Sequence, residues 1–382
     1  MNTSNFADLP IIDSHVHYGH PAFMAGLMAI MDELHIPRLN VVCTPHENRL
    51  SLTPDALHLK AHFPDRVYVF GGIDISALFV EPEQAGSMFA DYVDTLLAMG
   101  CDGVKMIEGK PTISKMLPIP PFDGEIYAPY WARLAERQTP VIFHVNDPEE
   151  FWDPVRAPGW AKERGWAYDD GSFIDNESQY TEVLNVLERH PDLKIIFAHF
   201  FFLSAQLERL GGILDRYPNV CVDLTPGIEM YYNLSGTPDA VREFFLKYQD
   251  RIVYGTDVGA KALLSAPGEG IEMDESRSRV HLVRAFLETD GPFQLFPGGF
   301  AFGESETPLR GIGLPRPVLE KIYFKNFERL AGSRPRPLDP AAIAAECERL
   351  AMMLGIVGAA RPEMEADLSV TTMVKSFFES SD

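Results

Sequence analysis

The chain has 382 residues, of which 46% are hydrophobic, so it is long and apolar enough to bury a large core. Its 33 basic and 55 acidic side chains give a formal net charge of −22. Such a surface repels phosphate backbones and anionic lipids, which argues against binding to nucleic acid or to a membrane.

Short apolar runs alternate with longer helical patterns along the whole chain. The runs are rich in Val, Ile and Phe, and they predict eight β-strands at Ile11–Ser14, Leu39–Thr44, Val67–Asp74, Gly103–Glu108, Val141–Asn146, Ile195–Phe200, Val220–Thr225 and Ile252–Asp257. Helices are predicted at Pro21–Leu34, Glu83–Met99, Tyr127–Arg137, Glu177–Arg189, Leu203–Tyr217, Pro238–Gln249, Arg316–Leu330 and Asp339–Leu354. This alternation of eight strands with helices indicates an α/β fold, namely a (β/α)8 TIM barrel.

Two connections are too long to be simple turns. Residues 147–175 follow the fifth strand, and residues 259–313 follow the eighth strand and contain a predicted helix at Ser278–Leu287. Long ordered loops at the end of a barrel often carry function, so we expect both insertions to cap the site; a packing elaboration or a subunit contact is the alternative. We expect residues 8–335 to form the barrel and residues 336–382 a C-terminal extension, with an extra helix and a loosely packed tail after Arg361.

The compartment is indicated by the cysteines and the N-terminus. The four cysteines are far apart in sequence and form no C-x-x-C pair, which is typical of buried thiols in a reducing environment. The first residues have no basic and apolar regions of the kind that a secretory signal needs, and no apolar run approaches the length of a membrane span. We therefore expect a cytoplasmic protein.

Polar side chains stand at the ends of four predicted strands. Two histidines lie two positions apart at the end of the first strand, so they point to the same face, and single polar residues end the fifth, sixth and eighth strands. Each alone could be a core histidine bonded to a carbonyl, or an aspartate that caps the next helix. A buried polar group is costly unless it is satisfied, and all of these would project into one barrel mouth, where barrel enzymes hold their active sites. The set is His15, His17, His144, His199 and Asp257.

This combination of side chains is suited to a divalent metal ion. Imidazoles and one carboxylate fit Zn²⁺ best, with Mn, Fe, Co or Ni as alternatives. We predict one ion, bound by His15, His17, His144 and Asp257. His199 would then be free to polarise the substrate or to transfer a proton, because imidazole changes its charge near neutral pH.

The motifs Asp13-x-His15-x-His17 and Gly255-Thr256-Asp257, together with the histidines of strands five and six, resemble the amidohydrolase superfamily. More narrowly, they are similar to the branch that holds aminocarboxymuconate-semialdehyde decarboxylase and related aromatic-acid decarboxylases and hydrolases. The segment Ile322–Leu330 is similar to the closing helix of that branch. The resemblance covers roughly residues 8–332, whereas the two insertions and the last helix depart from the shorter members.

The resemblance implies a metal-dependent enzyme. A metal-activated water would be the nucleophile, and Asp257 would accept its proton and return it to the leaving group, which makes Asp257 and His199 the predicted catalytic residues. Our leading interpretation is a hydrolase that acts on a small, carboxylated or cyclic substrate. A non-oxidative decarboxylase of an aromatic or unsaturated acid at the same metal site and an inactive ligand-binding barrel are the alternatives. Members of the branch are often dimers, so the resemblance also allows a homodimer.

Lys105 on the fourth strand has three alternative roles. It could be a carbamylated lysine that bridges to a second metal ion, as in two-metal members of the superfamily; it could contact a substrate carboxylate or form an ion pair; or it could be structural, paired with Asp74. Arg49, Lys110 and Arg156 fall in loops on the mouth side, where they could make the site locally positive or remain solvated charges.

Overall fold

The fold is built on one sheet of eight parallel strands that follow one another in chain order. The computed structural model describes residues 6–46, 48–227, 229–264, 270–295, 307–360 and 365–380. The strands are β1 Ile12–Val16, β2 Arg38–Val42, β3 Val67–Gly72, β4 Gly103–Gly109, β5 Val141–Val145, β6 Ile195–Phe197, β7 Val220–Asp223 and β8 Ile252–Val253. Each predicted strand is present, although β6 and β8 are shorter than expected.

Backbone hydrogen bonds join the two edges of this sheet. The Ser14 amide donates to the Tyr254 carbonyl over 2.9 Å, and the Asp257 amide donates to the His15 carbonyl over 2.9 Å. A further bond from the His17 amide to the Val258 carbonyl is 2.8 Å long. The sheet therefore closes on itself, and the predicted (β/α)8 TIM barrel is confirmed.

Helices surround the strands. The α-helices are α1 Met24–Glu33, α2 Thr53–His62, α3 Ala77–Val80, α4 Ala85–Met99, α5 Pro111–Met116, α6 Ala128–Arg137, α7 Gly159–Glu163, α8 Asn176–Arg189, α9 Leu207–Arg216, α10 Met230–Gly236, α11 Pro238–Lys247, α12 Ala260–Leu264, α13 Met273–Glu288, α14 Arg316–Glu320, α15 Asn326–Ala331, α16 Pro340–Ala360 and α17 Ser369–Glu379. A π-helical turn at Lys321–Lys325 connects α14 to α15, and two short antiparallel pairs join Pro45–His46 to Leu50–Ser51 and Asp290–Pro292 to Arg310–Ile312.

The sequence signals explain some of these helices and miss others. Helix α4 ends at Gly100, whose φ of +98° is the left-handed conformation that glycine adopts without a steric cost. Helix α2 was not predicted. Residues 53–60 are all buried, so this helix lacks the alternation of polar and apolar faces on which a sequence prediction depends.

Side chains from alternate strand positions fill the barrel interior. They form a separate apolar cluster that includes Ile12, Phe70 and Ile196. Phe327 and Leu330 of α15 join this cluster, so α15 covers the end of the barrel opposite to the mouth. A larger apolar layer lies between the outer face of the strands and the helices. The carboxyl ends of the strands therefore form the end of the barrel that α15 does not cover.

The C-terminal residues differ from the prediction. Residues 369–379 form α17 instead of a loose tail, and α17 packs against α16 and α2. Val370, Val374 and Phe378 are 4%, 0% and 3% exposed, so apolar burial holds this helix in place. The rest of the predicted tail, residues 361–364 and 381–382, lies outside the described residues. The division into a barrel and an extension at residue 335 stays a prediction.

The insertion after β5 is compact. Phe151 and Tyr168 are buried in an aromatic cluster with Trp152, Trp160 and Trp166. In the insertion after β8 the structure describes α12, α13 and the antiparallel pair of Asp290–Pro292 with Arg310–Ile312. Residues 265–269 and 296–306 of that prediction lie outside the described residues.

Two further sequence expectations can be compared with the structure. All four cysteines are buried and free of disulfides. In the described part of the chain, no helix combines the length and the apolar character needed to cross a membrane.

Candidate metal centre

Three of the predicted side chains meet at the mouth of the barrel. His15 lies near the end of β1, His17 directly follows this strand, and Asp257 follows β8. The Oδ1 atom of Asp257 lies 3.1 Å from His17 Nε2 and 3.8 Å from His15 Nε2. One potential ligand atom from each residue lies within 4.8 Å of the others, a spacing that allows all three to bind a single ion.

A buried carboxylate in β1 fixes the geometry of this group. Asp13 Oδ1 accepts hydrogen bonds from the amides of Thr256, over 3.1 Å, and His15, over 3.2 Å, and the Thr256 hydroxyl donates to Oδ2. Burial raises the pKa of Asp13 to about 7, against these hydrogen bonds, which lower it. Asp13 thereby ties the end of β1 to the residue before Asp257, whose own φ is +63°.

Arg279 of α13 was not predicted as a site residue. It is 2% exposed, and its Nη1 atom lies 3.2 Å from Asp257 Oδ2, while its Nε atom donates to Glu275. Burial by itself would raise the pKa of Asp257, but the hydrogen bond from His17 and the charge of Arg279 hold that pKa well below its ordinary value. Asp257 is therefore ionised at neutral pH. No strand-end pattern marks Arg279, because it reaches the site from a helix.

His144 and His199 lie beside this group and outside it. Their ring centroids are 4.9 Å apart, and the His199 ring is 5.8 Å from that of His15. The Nε2 atom of His144 lies 3.4 Å from Asp147 Oδ1. His144 as a fourth metal ligand, and His199 as a catalytic residue, stay predictions.

The strand that carries His199 ends earlier than predicted. β6 stops at Phe197, and residues 199–202 all adopt positive φ, at 55°, 57°, 60° and 52°. Left-handed backbone costs about 1–2 kcal/mol for each residue other than glycine, so the surrounding contacts must hold this turn. The turn lets Phe202 lie against both imidazoles, at 5.4 Å from His144 and 5.1 Å from His199.

Lys105 lies at the bottom of the mouth. Its Nζ atom is 3.3 Å from His15 Nε2, and the side chain is buried. Burial lowers the pKa of Lys105 to about 8, although Asp223 and Asp257 act in the opposite direction. The alternative that pairs Lys105 with Asp74 is wrong, because Asp74 forms an ion pair with Arg349 over 2.8 Å.

Asp223 is a second residue that the strand-end reasoning missed. It ends β7, is fully buried, and its Oδ2 atom lies 2.8 Å from His15 Nδ1. Burial raises the pKa of Asp223 above its ordinary value, although the neighbouring His199 and Lys105 act in the opposite direction. The signal was present in the sequence, since an apolar strand that ends on an aspartate is the same pattern that marked Asp257.

The insertion after β5 is joined to the site through Asp147. Lys110 Nζ lies 2.8 Å and 2.7 Å from its two carboxylate oxygens, and the Tyr168 hydroxyl donates to Oδ2 over 2.5 Å. Burial opposes ionisation, but Lys110 and His144 hold the pKa of Asp147 below its ordinary range. Lys110 also lies 4.6 Å from the Trp166 ring centroid. The aromatic cluster and His144 therefore contact the same carboxylate.

Of the three basic residues expected near the mouth, none is a free charge. Arg49 is buried and pairs with Asp55 over 3.0 Å, and Lys110 pairs with Asp147. Arg156, which has half of its side chain exposed, pairs with Glu149 and Glu150.

The chemistry of the donor set fits a divalent ion. Burial, reinforced by Lys105, holds the pKa of His15 well below its ordinary value, and burial acts likewise on His144 and His199. Neutral imidazoles have a lone pair available for a metal. The Nδ1 atoms of His17 and His199 are buried with no hydrogen-bond partner among the described residues, so each retains an unused site for coordination or hydrogen bonding.

Comparisons with known proteins identify a family and similar folds. A family model described as Amidohydrolase matches residues 102–330. A search of curated proteins finds no match. Among solved structures, a proposed amidohydrolase from Staphylococcus aureus is 16% identical with a TM-score of 0.53, covering 85% of this chain and 100% of its own. An amidohydrolase II is 14% identical with a TM-score of 0.51, covering 84% and 99%.

The structural likeness shows the barrel fold alone, whereas the family match extends over more than half of the chain. His15 and His17 lie before the matched segment, so their convergence on Asp257 is an observation separate from the match. The chain belongs to the amidohydrolase family of enzymes.

Proposed function

We propose that this chain is a metal-dependent hydrolase that acts on a small, carboxylated or cyclic substrate. The observation that carries the proposal is the convergence of His15, His17 and Asp257 at the barrel mouth, with one buried ammonium group, Lys105, beside them. Two imidazoles and a carboxylate favour Zn²⁺ over harder ions such as Mg²⁺, and His144 is our candidate for the fourth ligand.

A divalent ion at this position would act as a Lewis acid and lower the pKa of a bound water towards about 7. Asp257 is ionised and lies beside His15 and His17, so it can accept a proton at the reacting centre and return it to a leaving group. Arg279 holds the other oxygen of Asp257, which limits rotation of the carboxylate. His199, whose Nδ1 atom has no hydrogen-bond partner in the described part of the chain, can donate to or accept from the substrate.

The surroundings of the site support an anionic group on the substrate. Lys105 is buried, has only hydrogen-bond donors, and lies within 3.3 Å of a potential metal ligand. A substrate carboxylate would find there an ammonium that water does not screen. Phe202 and the two imidazoles beside it offer flat surfaces for a ring.

Metal content is the first test. We expect about one equivalent of divalent ion per chain after metal-replete expression, and a content below about 0.2 equivalents would contradict the proposal. His15→Ala should abolish binding. His190→Ala is the matched control, because it removes a histidine that ends α8, away from the site.

The reaction is the second test. In H₂¹⁸O, hydrolysis of a carboxylated or lactone substrate would place one ¹⁸O atom in the product. Release of CO₂ without added oxygen would instead identify the non-oxidative decarboxylase. Ligand binding without turnover in a metal-replete enzyme would favour the inactive barrel. A homodimer and a cytoplasmic location stay predictions, and sedimentation measures the first of them.

A further inference from the structure

Asp223 connects the two halves of the site through one buried carboxylate. Its Oδ2 atom lies 2.8 Å from His15 Nδ1, within hydrogen-bond distance. Its Oδ1 atom accepts from the backbone amides of His199, over 2.8 Å, and Thr225, over 3.1 Å. A candidate metal ligand and the backbone of a candidate catalytic residue are thus held by the same group.

The contacts of His15 select one imidazole tautomer. A carboxylate only accepts hydrogen bonds, so the proton of the His15 ring lies on Nδ1, towards Asp223. Lys105 lies at the other nitrogen, Nε2, and its ammonium group only donates. Both neighbours therefore favour the tautomer with its lone pair on Nε2, the nitrogen that lies 3.8 Å from Asp257 Oδ1.

The second contact of Asp223 stabilises a strained turn. His199 is the first of four consecutive residues with positive φ, and its amide donates to Asp223 Oδ1. Glycine is absent from these positions, so the turn relies on its contacts to persist. The carboxylate fixes the point at which the turn leaves β6, and with it the position of the His199 ring.

We propose that Asp223 is a positioning residue, which sets the tautomer of His15 for metal binding and anchors the turn that carries His199. The inference rests on the proposed metal-dependent function and adds to it a residue outside the ligand set. Carboxylates that orient ligating histidines contribute about 10- to 100-fold to metal affinity in other metal sites.

The test compares Asp223→Asn with the wild type. The side-chain oxygen of Asn can still accept from the two amides, but its NH₂ group then faces His15 Nδ1 and favours the opposite tautomer. Asp102→Asn is the matched control. Asp102 is also a buried carboxylate that accepts two backbone amides, from Val69 and Arg336, and one side-chain donor, Lys60, but it lies before β4 at the opposite end of the barrel.

The first measurement is the ring protonation of His15 in metal-free, histidine-labelled protein by long-range ¹H–¹⁵N correlation. We expect the proton on Nδ1 in the wild type and in Asp102→Asn, and on Nε2 in Asp223→Asn. A proton on Nε2 of wild-type His15 would overturn the inference, even if the variant fails to fold. This measurement needs no bound metal, so it stays informative if the proposed function fails.

The second measurement is Zn²⁺ affinity by calorimetry. We expect Asp223→Asn to bind Zn²⁺ about 10- to 100-fold more weakly, and Asp102→Asn to melt at a lower temperature with unchanged Zn²⁺ affinity. The histidine signals of His199 should shift only in Asp223→Asn. Equal affinities of the wild type and Asp223→Asn would overturn the inference, whereas failure of the wild type to bind any divalent ion would overturn the proposed function.

Discussion

Glu229, just after β7, has its carboxyl group buried at the mouth side of the barrel. Part of the residue is exposed, but both carboxyl oxygens are inaccessible to solvent. Burial raises the pKa of Glu229 to about 8, and the charges of Glu150 and Asp147 add to this effect, while the Ser204 hydroxyl lowers it. Glu229→Gln keeps the shape of the side chain and removes its ability to ionise.

The expected effect has a definite sign and size. Between pH 4.5 and 8 the unfolded chain has lost the proton of Glu229 while the folded chain retains it. The folded state then binds more protons, so its stability falls as the pH rises through this window. Integrated from pH 5 to pH 8, at about 1.36 kcal/mol for each full pKa unit, the loss amounts to about 3.5 kcal/mol. Glutamine does not titrate, so Glu229→Gln avoids this loss.

The assay is denaturant unfolding of both proteins at pH 5 and pH 8. Other titrating groups are common to both proteins and cancel in the difference between them. We expect the variant to gain about 3.5 kcal/mol of stability relative to the wild type between pH 5 and pH 8. Glu125→Gln, at an exposed position, is the control and should show no such gain. The same difference between variant and wild type at both pH values would refute the reasoning.

Three further variants probe the site and the fold. Asp257→Asn removes a candidate metal ligand and the proposed proton acceptor, so kcat should fall by several orders of magnitude with the fold intact; near-wild-type turnover would exclude this role. Gly109→Ala would place a Cβ against the carbonyl of His144 in β5 and so displace a candidate ligand. We expect a clear loss of metal or substrate affinity by calorimetry and only a small decrease of Tm in melting curves. Phe378→Ala should cost about 3 kcal/mol or more, since it opens a cavity under α17; a cost below about 1 kcal/mol would show that α17 is dispensable.

The eight strands could be predicted because each is buried on both faces. Strands covered by helices read as continuous runs of Val, Ile and Phe, and the alternation with amphipathic helices such as α4 then defines the barrel. Burial on all sides had the opposite effect for helix α2, which was missed. A helix is recognised by a polar and an apolar face, and residues 53–60 are all buried. Helix α17 was missed because its burial depends on α2 and α16, which are distant in sequence.

The sequence by itself determined that His15, His17 and Asp257 would share one face of the barrel, because strand period and parallel order place them there. Only the tertiary structure decided which groups complete the site. Arg279 contacts Asp257 from a helix that no strand-end pattern marks, and the contacts of Asp223 and Lys105 with His15, at 2.8 and 3.3 Å, join segments far apart in the chain. The left-handed turn at His199 could not be predicted from the sequence either, because its strain is offset by contacts that form only when the barrel has closed.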